Sequence, residues 1–383
     1  MPDTTALSEA PHGTRFRMLA SMIRRDIDRG TLPVGSRLPA VPELAKAHGV
    51  GVNTVRRAVA RLVEDGLLDR RHGSGTYVLR TSADRQVRRA VGVLVPSLTY
   101  YYPQVIAGIE EAASRRGVDV VIACSYYDAD RELAEIDRFL GSSVDGMLLV
   151  PSLHRAPDPA RYVSRLSKLP VPYFLIERRL DDPAADAADS TDVSSVRTDI
   201  AAGVRAAIAH LTALGRRRIG HIGHLSSAPG TRVFRGFLDA MREFGLEVID
   251  GAVLRRPTLS MAEVGQYVTT CAREQLDAVF CLGDPFAATL VRELGKHGHP
   301  VPDDVAVITF DDEFAHVAEV PLTAVSPPKY ELGRLATDLL VRRLEDGGPA
   351  VACDVRLQPK LVIRSSCGAR PTETIDLVFE PTG

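Results

Sequence analysis

The residues best suited to reading another molecule lie in VGVNTVRRAV, residues 50–59. Asn53 is the only asparagine in 383 residues, and Arg56 and Arg57 follow it three and four positions later. On a helix those spacings put the side chains on one face. A carboxamide presents a donor and an acceptor together to an adenine edge, and a guanidinium does the same to guanine or clamps a phosphate. The chain carries 42 Arg against 5 Lys, so a GC-rich coding background accounts for the rarity of Asn. It does not account for where the one Asn stands.

A second set of residues sits where apolar runs end. Tyr101 and Tyr102 follow VGVLV, Glu177 follows PYFLI, Asp199 follows SSVRT, Asp284 follows AVFCLG and Asp311 follows VAVITF. Carboxylates take hydroxyl groups in pairs and tyrosine faces stack on C–H surfaces, which is the chemistry of holding a polyhydroxylated ligand. Plainer roles stand beside this one: Asp284 as a cap for the helix FAATLVREL, and Tyr101 and Tyr102 as partly core. No HExxH, GxSxG or P-loop is present, and the five cysteines form no CxxC pair. The expectation is a protein that is not an enzyme and needs no metal and no cofactor.

The elements that position these groups follow from charge and periodicity. Residues 14–80 hold thirteen Lys/Arg against six Asp/Glu, while the whole chain has a net charge of -2. A basic head on an acidic body points to a polyanion as the head's partner. Phe16, Leu19, Ala20, Ile23 and Ile27 recur at helical spacing before Gly30, PELAKAHG is a short helix ending at Gly49, and a third helix runs from the Asn53 stretch to about Asp65. In that third helix Val55, Val59, Leu62 and Val63 share one face, while Asn53, Arg56, Arg57, Ala60 and Arg61 share the other. LLDRR, HGSG and TYVL then read as a strand, a glycine tip and a returning strand. Together these make a winged helix-turn-helix, expected over 14–80, with a linker over 81–90.

From Val91 the pattern changes. VGVLV, DVVIAC, GMLLV, PYFLI, IGHIG, AVFCL and VAVITF are continuous apolar runs, separated by amphipathic segments, as in parallel strands buried on both faces. The fold class is α/β: the winged head followed by a two-lobed, doubly wound domain over 91–366, with a tail from 367 to 383. The polar N-terminus and the lack of an eighteen-residue apolar run predict a cytoplasmic protein that does not enter a membrane.

The segment GSRLPAVPELAKAHGVGVNTVRRAVARLVEDGLLDRRHGSGTYV resembles the DNA-binding domain of the GntR family of bacterial repressors. That resemblance implies DNA contacts by Arg37, by Asn53, Thr54, Arg56 and Arg57, and by the wing tip His72, Gly73, Ser74 and Gly75. Two positions depart from the family: Pro42 stands where Arg often precedes the E-L-A segment, and Gly51-Val52 where Ser-Arg often begins the helix. Residues 91–366 resemble the effector domain of LacI-type repressors, itself similar to periplasmic sugar-binding proteins, through VDGMLLVPS, HLTALGRRRIGHIG, RGFLDAM and the long segment ending VAVITFDD. A GntR head on a LacI-type body resembles the arabinose-type repressors.

The LacI resemblance implies a ligand site formed by Tyr101, Tyr102, Glu177, Asp199, Arg232, Asp284 and Asp311. Arg232 enters because the family's ligand-binding Arg is displaced: Val233 occupies its position. Gly283 and Ile200 also replace residues usual in the family. The implied function is a ligand-responsive transcriptional regulator, a repressor binding double-stranded, palindromic operator DNA as a homodimer and released by a small molecule, with a carbohydrate as the expected effector. An activator, or a sensor of a non-sugar metabolite, is the alternative. An aminotransferase-type body is disfavoured, because Lys168, Lys296, Lys329 and Lys360 carry no Schiff-base motif.

Overall fold

The computed structural model describes residues 15–71, 74–79, 81, 89–180, 193–224, 228–346 and 351–369. The head begins with α1 (Arg15–Asp28), α2 (Val41–His48) and α3 (Val52–Glu64), followed by the antiparallel hairpin β1 (Leu68–Arg71) and β2 (Gly75–Val78). Leu19, Ile23 and Ile27 of α1 meet Leu44 of α2 and Val55, Val59 and Leu62 of α3 in one core. That is the apolar stripe expected from the sequence. Gly49 ends α2 with φ 61°, a left-handed cap that glycine adopts without strain and that sets the turn into α3.

The body is a pair of six-stranded sheets. The first orders its strands β13-β7-β6-β5-β3-β4 and every pairing in it is parallel. It is built from β3 (Ala90–Val95), β4 (Asp119–Cys124), β5 (Gly146–Leu149), β6 (Tyr173–Ile176), β7 (Ser195–Thr198) and β13 (Asp354–Leu357). The second orders its strands β14-β12-β11-β10-β8-β9, parallel except for the β12–β14 pair. Its strands are β8 (Ile219–His224), β9 (Val253–Arg256), β10 (Ala278–Leu282), β11 (Ala306–Phe310), β12 (Thr323–Ser326) and β14 (Lys360–Val362).

Helices α4 (Tyr102–Arg115), α5 (Ala129–Gly141) and α6 (Pro159–Ser167) cover the first sheet, and α7 (Ile200–Ala213), α8 (Ala228–Glu243), α9 (Met261–Arg273) and α10 (Asp284–Lys296) cover the second. The last helix, α11 (Lys329–Asp346), follows a strand of the second sheet but buries Leu332, Ala336 and Leu340 in the first lobe's core. The described chain therefore passes between the lobes at 198–200, 326–329 and 357–360. Such multiple crossings are how hinged two-lobed domains are joined.

The fold class read from the sequence is the fold observed. The apolar runs became parallel strands, central and buried almost throughout in β3, β5, β10 and β11, whereas DVVIAC became the edge strand β4, with Val121 exposed. In contrast β13 and β14 were not foreseen, because DVRL alternates polar and apolar residues at a sheet edge and KLV is three residues long. α4 and α11 cross closely: a Cβ on Gly108 would lie 2.0 Å from the Tyr330 carbonyl oxygen, and one on Gly333 2.0 Å from that of Val105. His221 is core, stacked 5.0 Å from Phe237, and burial pushes its pKa down to about 3, so it stays neutral. Among the described residues no helix is long and apolar enough to cross a membrane.

Candidate functional site

In the head, α3 turns Asn53, Arg56 and Arg57 outward, all exposed, while Val55, Ala58, Val59 and Leu62 face inward. Thr54 is half-buried beside Gly51. Val52, where the resemblance would place an arginine, is 40% exposed. Arg57 is not wholly free to reach outward, since its guanidinium lies 4.1 Å from the centroid of the Phe16 ring on α1. Asn53 and Arg56 have no such tether in the structure's described contacts.

The wing is organised from below. Arg37 pairs with Tyr77 through an isolated antiparallel bridge, and its guanidinium runs under Gly75, where a Cβ would meet Nε at 2.6 Å. Gly75 also has φ 122°, so both its backbone and its missing side chain are required here. Ser74 Oγ lies 2.8 Å from Tyr77 Oη, and Arg71 stacks over the Tyr77 ring at 4.7 Å. His72 and Gly73 lie outside the described residues. Arg37, Ser74 and Gly75 thus converge on one edge of the hairpin.

In the body, the candidate ligand residues other than Arg232 sit beyond the carboxyl ends of strands from both sheets. That is where open α/β sheets leave a crevice. Glu177, just after β6, is 7% exposed and takes hydrogen bonds from Tyr101 Oη (2.5 Å), Thr198 Oγ1 (2.5 Å) and the Thr198 amide (3.1 Å). Burial, then the Glu177 charge, pushes the Tyr101 phenol well above its ordinary value. Arg178 is buried beside it, donating to the Glu177 carbonyl (3.0 Å) and to Tyr102 Oη (3.3 Å).

From the other lobe, Asp284 is 1% exposed and its carboxylate is fully engaged. It accepts from Thr309 Oγ1 (3.0 Å) and from the amides of Glu313 (2.5 Å) and Phe314 (2.8 Å), shaping the loop after β11. Asp311 is half-buried next to it with φ 117°. Desolvation, then the Asp284 charge, raises its carboxyl pKa to about 8, with Lys329 opposing. Its carboxyl thus holds its proton well above the ordinary carboxylate range, and in that form can donate as well as accept.

Asp199 caps α7, accepting from the Ala202 amide at 3.0 Å, and Arg232 lies half-buried in α8. The structure thus gathers Tyr101, Tyr102, Glu177, Asp284 and Asp311 about one cleft, and gives Asp199 and Asp284 backbone partners of their own.

Four residues that the sequence reading did not assign to a ligand site complete the cleft. Tyr100 reaches from the first lobe to the second, its oxygen accepting the Asp284 amide at 3.2 Å and its ring 5.6 Å from Phe314. Lys329, 2% exposed at the start of α11, pairs with Glu313 at 2.5 Å, donates to the Asp311 carbonyl and sits 5.4 Å from the Tyr101 ring. Tyr127 and Arg155 stack at 5.2 Å on the first lobe's rim. Lys329 had a signal, as one of five lysines among 42 arginines; Tyr100 was indistinguishable from its two neighbours.

Backbone strain marks the same place. Tyr100, Tyr126, Tyr127, Glu177, Asp311 and Asp312 all have positive φ, which non-glycine residues hold only where the surroundings over-determine it. Among the described residues no group of His, Cys, Asp and Glu could hold a metal ion.

Two family models match the chain. The model described as bacterial regulatory proteins, gntR family, covers residues 16–78, and that described as a periplasmic binding protein-like domain covers 208–367. The chain is 26% identical over 364 residues to an arabinose metabolism transcriptional repressor of Geobacillus stearothermophilus, covering 92% of this chain and 97% of the relative. It is 28% identical over 300 residues to the HTH-type transcriptional repressor CytR of Escherichia coli, 75% of this chain and 82% of that one. Among solved structures, that of the transcriptional regulator CelR in complex with cellobiose superposes with a TM-score of 0.62 at 25% identity, covering 86% of this chain and all of that one.

Proposed function

We propose that this chain, which carries a GntR-type winged helix-turn-helix and a LacI-type, periplasmic-binding-protein-like body, is a transcriptional repressor whose DNA binding is governed by a small molecule held between its two lobes. The observation that carries this reading is the union in one chain of an exposed Asn53-Arg56 helix face and a cleft lined from both lobes by buried carboxylates and tyrosines. The head binds a palindromic operator as one half of a homodimer, since a single head buries too little surface for specific binding and two-fold sites match two-fold dimers. Asn53 and Arg56 read bases; Thr54, Arg57, Arg37 and the wing hold the backbone.

The effector we assign is a neutral carbohydrate. Tyr101 and Tyr127 offer ring faces, and Asp311, as a neutral acid, can both donate to and accept from hydroxyls. Lys329 is already paired with Glu313, and Arg178 gives Nη1 and Nη2 to protein acceptors while its buried Nε keeps a donor for a ligand hydroxyl. The arabinose and cellobiose in the names of similar proteins make these two sugars the first probes.

A thermal-shift screen of L-arabinose, cellobiose and other sugars, followed by binding to duplexes selected from a random pool, tests the reading. A sugar that stabilises the protein and weakens binding to the selected duplexes is the expected result. On those duplexes Asn53→Ala costs about 1–3 kcal/mol while random DNA is bound as before. Equal losses on both DNAs remove Asn53 from base reading, and stabilisation only by anionic metabolites replaces the sugar assignment.

A further inference from the structure

We propose that the head is held as a rigid extension of the first lobe, latched by Arg17 and Arg25 of α1 onto the end of that lobe opposite the cleft. Arg17 Nη1 donates to the Gly141 carbonyl at 2.5 Å, and Arg25 Nη1 donates to the Pro170 carbonyl at 3.2 Å. Gly141 is the last residue of α5, where unpaired carbonyls carry the negative end of the helix dipole, so a guanidinium is the complementary partner. The fit is close: a Cβ on Gly141 would stand 2.6 Å from Arg17 Nη1.

Arg17 and Arg25 are eight residues apart, about 12 Å along the helix axis. Two anchors at that separation fix the direction of α1, not merely its proximity. Between them Arg24 pairs with Asp65, the C-cap of α3, at 2.6 Å. The helix that docks is therefore tied directly to the helix that would enter DNA. Leu19, Ile23 and Ile27 pack α1 onto α3 along the same line.

A third point of contact is Asp145, on the turn before β5. Its carboxylate accepts the amide of Ala90, the first residue of β3, at 2.9 Å, and the charges around it are Arg24 and Asp28 of α1 and Arg89 at the linker's exit. Head, linker exit and lobe thus meet at one half-buried acid.

The position of the latch gives it a consequence. Gly141, Asp145 and Pro170 lie at the amino ends of β5 and β6, whereas Tyr100, Tyr101, Glu177 and Arg178 lie at the carboxyl ends of β3 and β6. Strands of this length span about 15–20 Å. A displacement of the first lobe's cleft wall is carried to α1 through a buried sheet and does not depend on the nine residues between Leu79 and Arg89 transmitting force. That consequence rests on the proposed effector function; the docking itself does not.

Small-angle scattering of the full-length protein without DNA tests the latch, comparing the wild type with Arg17→Ala/Arg25→Ala and, from the other side of the contact, Gly141→Val. Random-sequence 30-base-pair duplex serves as a check that the head is folded, with affinity expected to stay within about threefold of wild type. Latched, the wild type scatters as one compact particle. Both variants lengthen its maximum dimension by about 10 Å or more, within the roughly 30 Å that nine residues can reach. Unchanged profiles in both variants, or a wild type already extended, overturn the proposal. A sugar screen that finds no effector would remove the proposed regulation while leaving this result standing.

Discussion

At the scale of single residues, the acid at 311 carries the most chemistry. A carboxyl whose pKa rises on folding keeps a proton that the unfolded chain gives up. Its contribution to stability is therefore complete below the unfolded value near 4 and is lost as pH climbs through about 8. Asp311→Asn, which keeps the shape and cannot ionise, should flatten the fall in melting temperature expected of the wild type between about pH 4 and 8. A variant whose pH profile runs parallel to the wild type would mean that Asp311 is already ionised at neutral pH. The residue's place at a strand end was legible in FDD, but its protonation was not. That comes from Asp284, brought alongside by an adjacent parallel strand 27 positions earlier in sequence, and from burial that only the fold creates.

At the scale of elements, what the sequence reveals is what periodicity encodes. Continuous apolar runs predict buried parallel strands, and the 3.6-residue stripes of α1 and α3 predict the head's core. The wing followed from HGSG. Hidden from that reading were elements whose position is fixed by distant partners: β13 and β14, too short and too polar at the sheet edges, and the assignment of α11 to the first lobe although it follows the second. The glycines at 108 and 333 explain that assignment. Each lets a backbone carbonyl of the opposite helix approach to where a side chain would begin, so α11 can lie flat against α4 only if both positions lack a Cβ. Gly333→Val should cost about 3 kcal/mol or more, with loss of first-lobe packing around Val105 and Ile109. Chemical denaturation measures this, and a cost under about 1 kcal/mol would show that the helices separate freely.

At the scale of the whole molecule, the cleft is bridged before any ligand arrives. Tyr100 belongs to the first lobe and accepts the amide of Asp284 from the second, and Lys329, at one crossing between lobes, grips the loop after β11. On the function proposed above, a sugar hydroxyl entering the cleft would compete with Tyr100 for that amide and for the neighbouring acid, exchanging one bridge for another. Under that proposal any shift of the lobes would be coupled to DNA reciprocally: the factor by which effector weakens operator binding would be the factor by which operator weakens effector binding. Tyr100→Phe tests the bridge with the ring retained and only the oxygen removed. Hydrogen exchange at the Asp284 amide should accelerate about tenfold, the equivalent of one net hydrogen bond of about 1.4 kcal/mol. Exchange in β10 and β11, buried in the second sheet, should not change. If the Asp284 amide exchanges as in the wild type, the lobes are held by Lys329 and the three crossings alone, and Tyr100 contributes nothing to the bridge.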